Sequence, residues 1–292
     1  MKKLSVIIPA RNEPHLIRTI EDIFRNAYYR DFIQVVAILE GYWPEGWAEA
    51  VERSKGRLVT IHNSTPKGMR AAITAGVAAS SGFEYVLKSD AHCSFAEQFD
   101  DSLMGTCGDR TVMVPRRYRL DVDNWAPLED GRPPVDYEYI SFPKNKSEGM
   151  GGRIWNERAT ENAGKLIDEL PTFQGSCWIM KRKYFHDLML MDEATYGRFF
   201  FEAQEICLKA WLGGGQVLVN KHTSYAHWHK PREVGRGYQL EAGLREQGVA
   251  GLRRWLTGRG WRKQTLPFES LLERFPGMPG WSDDWKERVR AQ

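Results

Sequence analysis

The sequence predicts an α/β fold built on a mostly parallel, Rossmann-like sheet flanked by helices. Three observations carry this. Short continuous apolar runs recur through the first half of the chain, helix-spaced segments separate them, and glycine or polar turns close each unit. At 292 residues, with 42% hydrophobic and 27% charged residues, the chain is long enough to bury one large core.

Residues 4–9 form an unbroken apolar run, the mark of a strand buried on both faces. The run is too short for a secretory signal, because Pro9, Arg11, Asn12 and Glu13 end it at once. Residues 13–28 carry Leu16, Ile17, Ile20, Ile23 and Phe24 at helical spacing. Strands are expected at 35–39 and 58–61, an alanine-rich helix at 68–80, a fourth strand at 85–87 and a fifth at 112–114. The fourth runs into Ser89-Asp90-Ala91-His92, and sheets of this kind bind ligands at the carboxyl ends of their strands. Residues 116–170, with four prolines and Gly149, Gly151 and Gly152, read as a long functional loop. Regular signals return as a strand at 173–180, a helix at 200–212 stopped by Gly213-Gly214-Gly215, and a strand at 216–220.

No apolar run approaches the length needed to span a bilayer. Cys93, Cys107, Cys177 and Cys207 are far apart with no paired spacing, so reduced cysteines and a cytoplasmic location are expected. Eleven tryptophans imply that several line a cleft or an interface. Charge shifts at the end: residues 230–292 hold 13 Lys+Arg against 8 Asp+Glu, whereas the whole chain is only +3. Arg253, Arg254, Arg259, Arg262 and Lys263 surround Trp255 and Trp261. Such a patch is either a solvated helix face or a polyanion contact in which tryptophans stack on bases, with Arg116, Arg117 and Arg119 extending it.

Asp90 and His92 are one residue apart, which on an extended segment points both side chains the same way. A carboxylate and an imidazole suit a divalent cation, although such a pair also arises as a surface or capping pair. Its surroundings add to it. Residues 4–13 resemble the first strand of the family-2 glycosyltransferases, and residues 62–76 resemble that family's segment before its metal motif. Further on, Phe173-Gln174-Gly175-Ser176-Cys177-Trp178, Tyr184-Phe185, the helix at 201–215 and Tyr225-Ala226-His227-Trp228-His229-Lys230 are similar to the polypeptide N-acetylgalactosaminyltransferase family.

The resemblance implies a GT-A fold over residues 1–230, with 116–170 on the acceptor side and a basic, mainly helical extension at 231–292. It implies a UDP-sugar donor and Mn²⁺ (or Mg²⁺) held by Asp90, His92 and His227. Pro9, Arg11, Glu13, Glu40, Lys67 and Arg70, with Asp90, are placed around the nucleotide, and Glu202 and Glu205 are the catalytic candidates. Glu202-Ala203 stands where the relatives carry Glu-Asn or Glu-Asp, so the usual base is missing. That fits retention, in which the leaving phosphate takes the acceptor proton; inversion with Glu202 as base is the alternative. The family's membrane anchor and lectin domain have no counterpart here, which argues against a role in the secretory pathway. The basic tail points to a nucleic-acid acceptor such as hydroxymethylated DNA; a bacterial glycan or small molecule is the other candidate. A non-catalytic nucleotide or nucleic-acid binding module on the same fold is the reading of a different class. A nucleotidyltransferase would carry a glycine-rich first loop, where this chain has Ala10-Arg11-Asn12-Glu13.

Overall fold

The computed structural model describes residues 2–231 and 233–292. The chain forms strand β1 (Leu4–Ala10), helix α1 (Leu16–Asn26), β2 (Ile33–Glu40), α2 (Trp47–Arg53), β3 (Leu58–Asn63), α3 (Met69–Ala78), β4 (Tyr85–Ser89), β5 (Cys93–Phe95) and α4 (Phe99–Thr106). There follow β6 (Thr111–Asp121), β7 (Ala126–Pro127), β8 (Glu138–Ile140), β9 (Gly152–Ile154), α5 (Asn156–Glu161), β10 (Ile167–Glu169), β11 (Cys177–Lys181), α6 (Arg182–Asp187), α7 (Glu193–Tyr196), α8 (Glu202–Leu212) and β12 (Gln216–His227). Helices α9 (Leu244–Thr257), α10 (Glu269–Arg274) and α11 (Trp285–Arg290) complete it.

The main sheet runs β10-β12-β6-β11-β4-β1-β2-β3. Strands β3, β2, β1 and β4 are mutually parallel, as are β6 and β12. β11 is inserted antiparallel between β4 and β6. All five residues of β4 are buried, as are nearly all of β1 and β2, which explains the apolar runs at 4–9, 35–39 and 85–87. The expected α/β architecture is the one observed.

Four local differences have physical reasons. The strand expected at 173–180 begins only at Cys177, because Gln174, Gly175 and Ser176 turn into the cleft. The region 116–170 is not one loop: β6 continues to Asp121, and β8 and β9 form a separate two-stranded sheet. Its arginines are internally neutralised. Arg116 pairs with Asp136, Arg117 with Glu138 and Arg119 with Asp130, so they do not extend a basic surface.

The fourth difference is the tail. Val249, Leu252, Trp255 and Leu256 share one face of α9, and Trp261, Phe268, Leu271 and Phe275 join them in burial. All but Val249 enter the same core as Trp178, Tyr196 and Trp211. Trp255 is 1% exposed and donates its indole N–H to Tyr196 Oη at 2.8 Å. The tryptophans expected to stack on bases are core residues, leaving only the arginine side of the helix in solvent.

All four cysteines are buried and free. Among the described residues no helix is long and apolar enough to cross a membrane.

Candidate functional site

A cleft of about 940 Å³ opens over the carboxyl ends of β1, β2 and β4. Asp90 and His92 lie in the bend between β4 and β5, not on an extended strand, yet both face this cleft. The Asp90 N–H donates to Ser176 O at 2.8 Å, which prolongs the β4–β11 pairing and fixes the carboxylate at the strand end. His227 is the last residue of β12 and reaches the same point through its pairing with Cys93 of β5.

One ligand atom from each of Asp90, His92 and His227 lies within 4.8 Å of the others. His227 Nε2 is 3.2 Å from Asp90 Oδ2, and the two imidazoles are 4.9 Å apart. Burial pushes the His227 imidazole down to about 4, so at neutral pH it carries a free lone pair. Burial opposes ionisation of Asp90, but Lys88 and His227 outweigh it and hold the carboxyl well below its usual range. His227 Nδ1 is buried with no hydrogen-bond partner among the described residues. Two imidazoles and one carboxylate, with a buried nitrogen left unsatisfied, fit a divalent cation.

Around this trio stands a set of orienting groups. Glu13 Oε2 lies 3.0 Å from His92 Nδ1, and Lys230 Nζ donates to Glu13 Oε1 at 2.7 Å. A carboxylate on Nδ1 fixes the imidazole tautomer and leaves Nε2 as the ligand. Glu13 therefore sits behind a metal-ligand candidate, a position the sequence resemblance had assigned to the nucleotide. Lys88, 2% exposed, donates to Asp90 Oδ1 at 2.5 Å and Gly175 O at 2.7 Å and lies 3.6 Å from Glu202 Oε2. Burial disfavours its charge, but Asp90 and Glu202 reverse this and hold the ammonium above its usual range. Sequence reasoning missed Lys88. The available signal was a lone lysine inside an apolar strand, two residues before Asp90, since a buried charge requires a partner.

Pro9, Arg11, Glu13, Glu40, Lys67, Asp90, His92, Glu202 and His227 all line the cleft. Arg11 stacks its guanidinium on Tyr238, 4.3 Å from the ring centre. Glu40 accepts from Asn63 Nδ2 at 2.6 Å and from the backbone N–H groups of Lys67 and Gly68 at 2.5 and 2.9 Å, so it clamps the loop before α3. Glu202 accepts from Trp178 Nε1 at 2.6 Å, and burial raises its pKa. Gly175 lacks the Cβ that would lie 3.2 Å from Glu202 Oε2, which lets this turn approach the carboxylate.

Arg70 and Glu205 do not belong to the cleft. Both side chains are fully buried and paired with each other. Glu205 also accepts from Lys209 Nζ at 2.6 Å and from the Asp192 N–H at 3.1 Å, while Arg70 Nη2 donates to Phe200 O at 2.8 Å. They join α3, α8 and the segment leading into α7. The expected nucleotide and catalytic roles do not fit this placement, because neither side chain reaches solvent or lines the cleft.

Residues 5–189 match the family model of Glycosyl transferase family 2. The fold is similar to that of GalNAc-T7, in a crystal structure with UDP, GalNAc and Mn²⁺: TM-score 0.72, 17% identity, covering 96% of this chain and 58% of that one. It is also similar to the mannosyltransferase PcManGT from Pyrobaculum calidifontis in complex with GDP-Man and Mn²⁺: TM-score 0.54, 17% identity, covering 99% and 73%. The chain thus spans a little over half the length of the GalNAc-T7 chain. No curated protein sequence matches it. With the family match extending over most of the chain and a GT-A fold beneath it, the chain belongs to glycosyl transferase family 2.

Proposed function

We propose that the protein transfers a sugar from a UDP-sugar to a hydroxyl acceptor, with Mn²⁺ held by Asp90, His92 and His227. The observation that carries this is the convergence of those three ligand atoms within 4.8 Å on the cleft, beside the ends of β1 and β2. A bound divalent cation supplies charge neutralisation to the departing diphosphate. The two proteins of similar fold hold Mn²⁺ with UDP or with GDP-mannose in their structures, which supports the donor class. Two imidazoles and one carboxylate favour Mn²⁺ over Mg²⁺.

The chain's own residues have separable tasks in this reading. Lys88 keeps Asp90 ionised and fixed. Glu13 holds the His92 ring with Nε2 free. Arg11 and Lys67, at the nucleotide end of the cleft, offer positive charge to the donor. Glu202 has one oxygen on Trp178 and the other near Lys88, an arrangement that positions it better than it frees it to take a proton. The reaction then breaks the bond from the anomeric carbon to the diphosphate and forms one to the acceptor oxygen, the acceptor proton passing to the departing phosphate. The product keeps the donor's anomeric configuration, which the NMR coupling constant of the anomeric proton reads directly. An inverted product would remove retention and return Glu202 as the base.

Glu13→Ala is expected to weaken Mn²⁺ binding by about 10–100-fold, the usual effect of losing the group behind a metal-bound histidine. The check is Mn²⁺ titration of UDP release. An unchanged Mn²⁺ dependence would show that His92 needs no orienting carboxylate.

A further inference from the structure

The cleft has a second polar pole that the donor reading leaves unused. In the sheet order, β1 and β2 lie on one side of β4, and β11 and β6 on the other. Arg11 and Glu40 stand at the first side, Asp90 in the middle, and Glu138 on the second, tied to β6 by Arg117. Glu138 is 8% exposed and accepts from Arg117 Nη2 at 2.7 Å through Oε1 only; among the described residues Oε2 has no hydrogen-bond partner.

Two features keep that oxygen open. Gly152 faces it, and a Cβ there would stand 2.6 Å from Glu138 Oε2 and 3.4 Å from Gln204 Nε2. Any side chain at 152 would fill the space between the two polar groups. The frame around them is fixed: the Glu138 backbone bridges to Thr172, whose hydroxyl accepts from Gln204 Nε2 at 3.3 Å. The glycine-rich stretch singled out in the sequence thus has a purpose at its last member, the space between Glu138 and Gln204.

We propose that Glu138, Gly152 and Gln204 form the acceptor subsite and that the acceptor is a carbohydrate. This rests on the donor reading above. An open carboxylate oxygen accepts from a hydroxyl, and an amide beside it both donates and accepts, a pattern suited to neighbouring sugar hydroxyls. Phe201, partly buried, also lines the cleft and offers an apolar edge to a sugar ring. A phosphodiester suits it poorly, because Glu138 presents negative charge and Arg117, the buried cation bonded to it, is already neutralised.

The test uses the full chain with Mn²⁺, a UDP-sugar that it turns over, and methyl glycosides of glucose, galactose and mannose as acceptor probes. At least one methyl glycoside is expected to raise UDP release saturably. Glu138→Gln and Gly152→Ala should each raise the KM of that glycoside by about tenfold or more, the order of losing a hydrogen bond to a charged group. The donor KM should move by less than about twofold, a split that a structural defect would not give. The inference is overturned if no methyl glycoside raises UDP release above the rate in water, if both variants keep the glycoside KM, or if the donor KM rises by the same factor. Saturation-transfer NMR with the same glycosides, without donor, separates this from failure of the donor reading. Glycoside signals that Glu138→Gln abolishes support the subsite even if no UDP-sugar is turned over; signals that persist in the variant overturn it.

Discussion

Asp90→Asn is expected to lower UDP release from a UDP-sugar by about 10²-fold or more, exceeding the usual cost of losing a group behind a metal ligand. The substitution keeps the side-chain volume and removes the one carboxylate of the proposed donor set. The fold should survive it. Lys88 retains Gly175 O at 2.7 Å and Glu202 Oε2 at 3.6 Å, so its buried charge is not abandoned. A steady-state assay across Mn²⁺ concentrations, with thermal denaturation as the control for folding, reads both effects. Full activity in the variant would remove Asp90 from the chemistry.

Glu205→Ala is expected to act on stability instead. It leaves Arg70 and Lys209 buried without their shared carboxylate, and breaking a buried pair costs about 3–5 kcal/mol. For a chain of this size that lowers Tm by on the order of 10 °C. Replacing all three groups by apolar residues of similar volume should recover most of the loss, because the desolvation cost disappears with the charges. Thermal denaturation of the single and triple variants decides it. A Glu205→Ala protein with unchanged Tm and no turnover would restore the catalytic role that the sequence alone suggested.

The fold was legible wherever burial is complete on both faces. β1, β2 and β4 read as apolar runs, and α1 and α8 read from their spacing and their stops. Asp90 and His92 were legible because they are neighbours at a strand end. His227 was reached only through resemblance, since nothing local links it to a residue 137 positions away. Arg70 and Glu205 were assigned to the nucleotide and to catalysis by resemblance as well, and their pairing shows only once each one's partner 135 positions away is known. Trp255 and Trp261 were misread differently. Their arginine neighbours suggested a polyanion surface, whereas the spacing of Val249, Leu252, Trp255 and Leu256 already places Trp255 on one apolar face. Glu138 gave no signal in a proline-rich stretch, because its meaning depends on Arg117, Gln204 and the bare backbone of Gly152 meeting in space.

The central claim is that Asp90, His92 and His227 bind a divalent cation that recruits the nucleoside diphosphate of a sugar donor. Calorimetric titration of UDP into the native protein and into His227→Ala, each with Mn²⁺ and with chelator, tests it most directly. The account predicts UDP binding by the native protein that requires Mn²⁺ and is lost in the variant. Equal UDP affinity with chelator, or in His227→Ala, would contradict it.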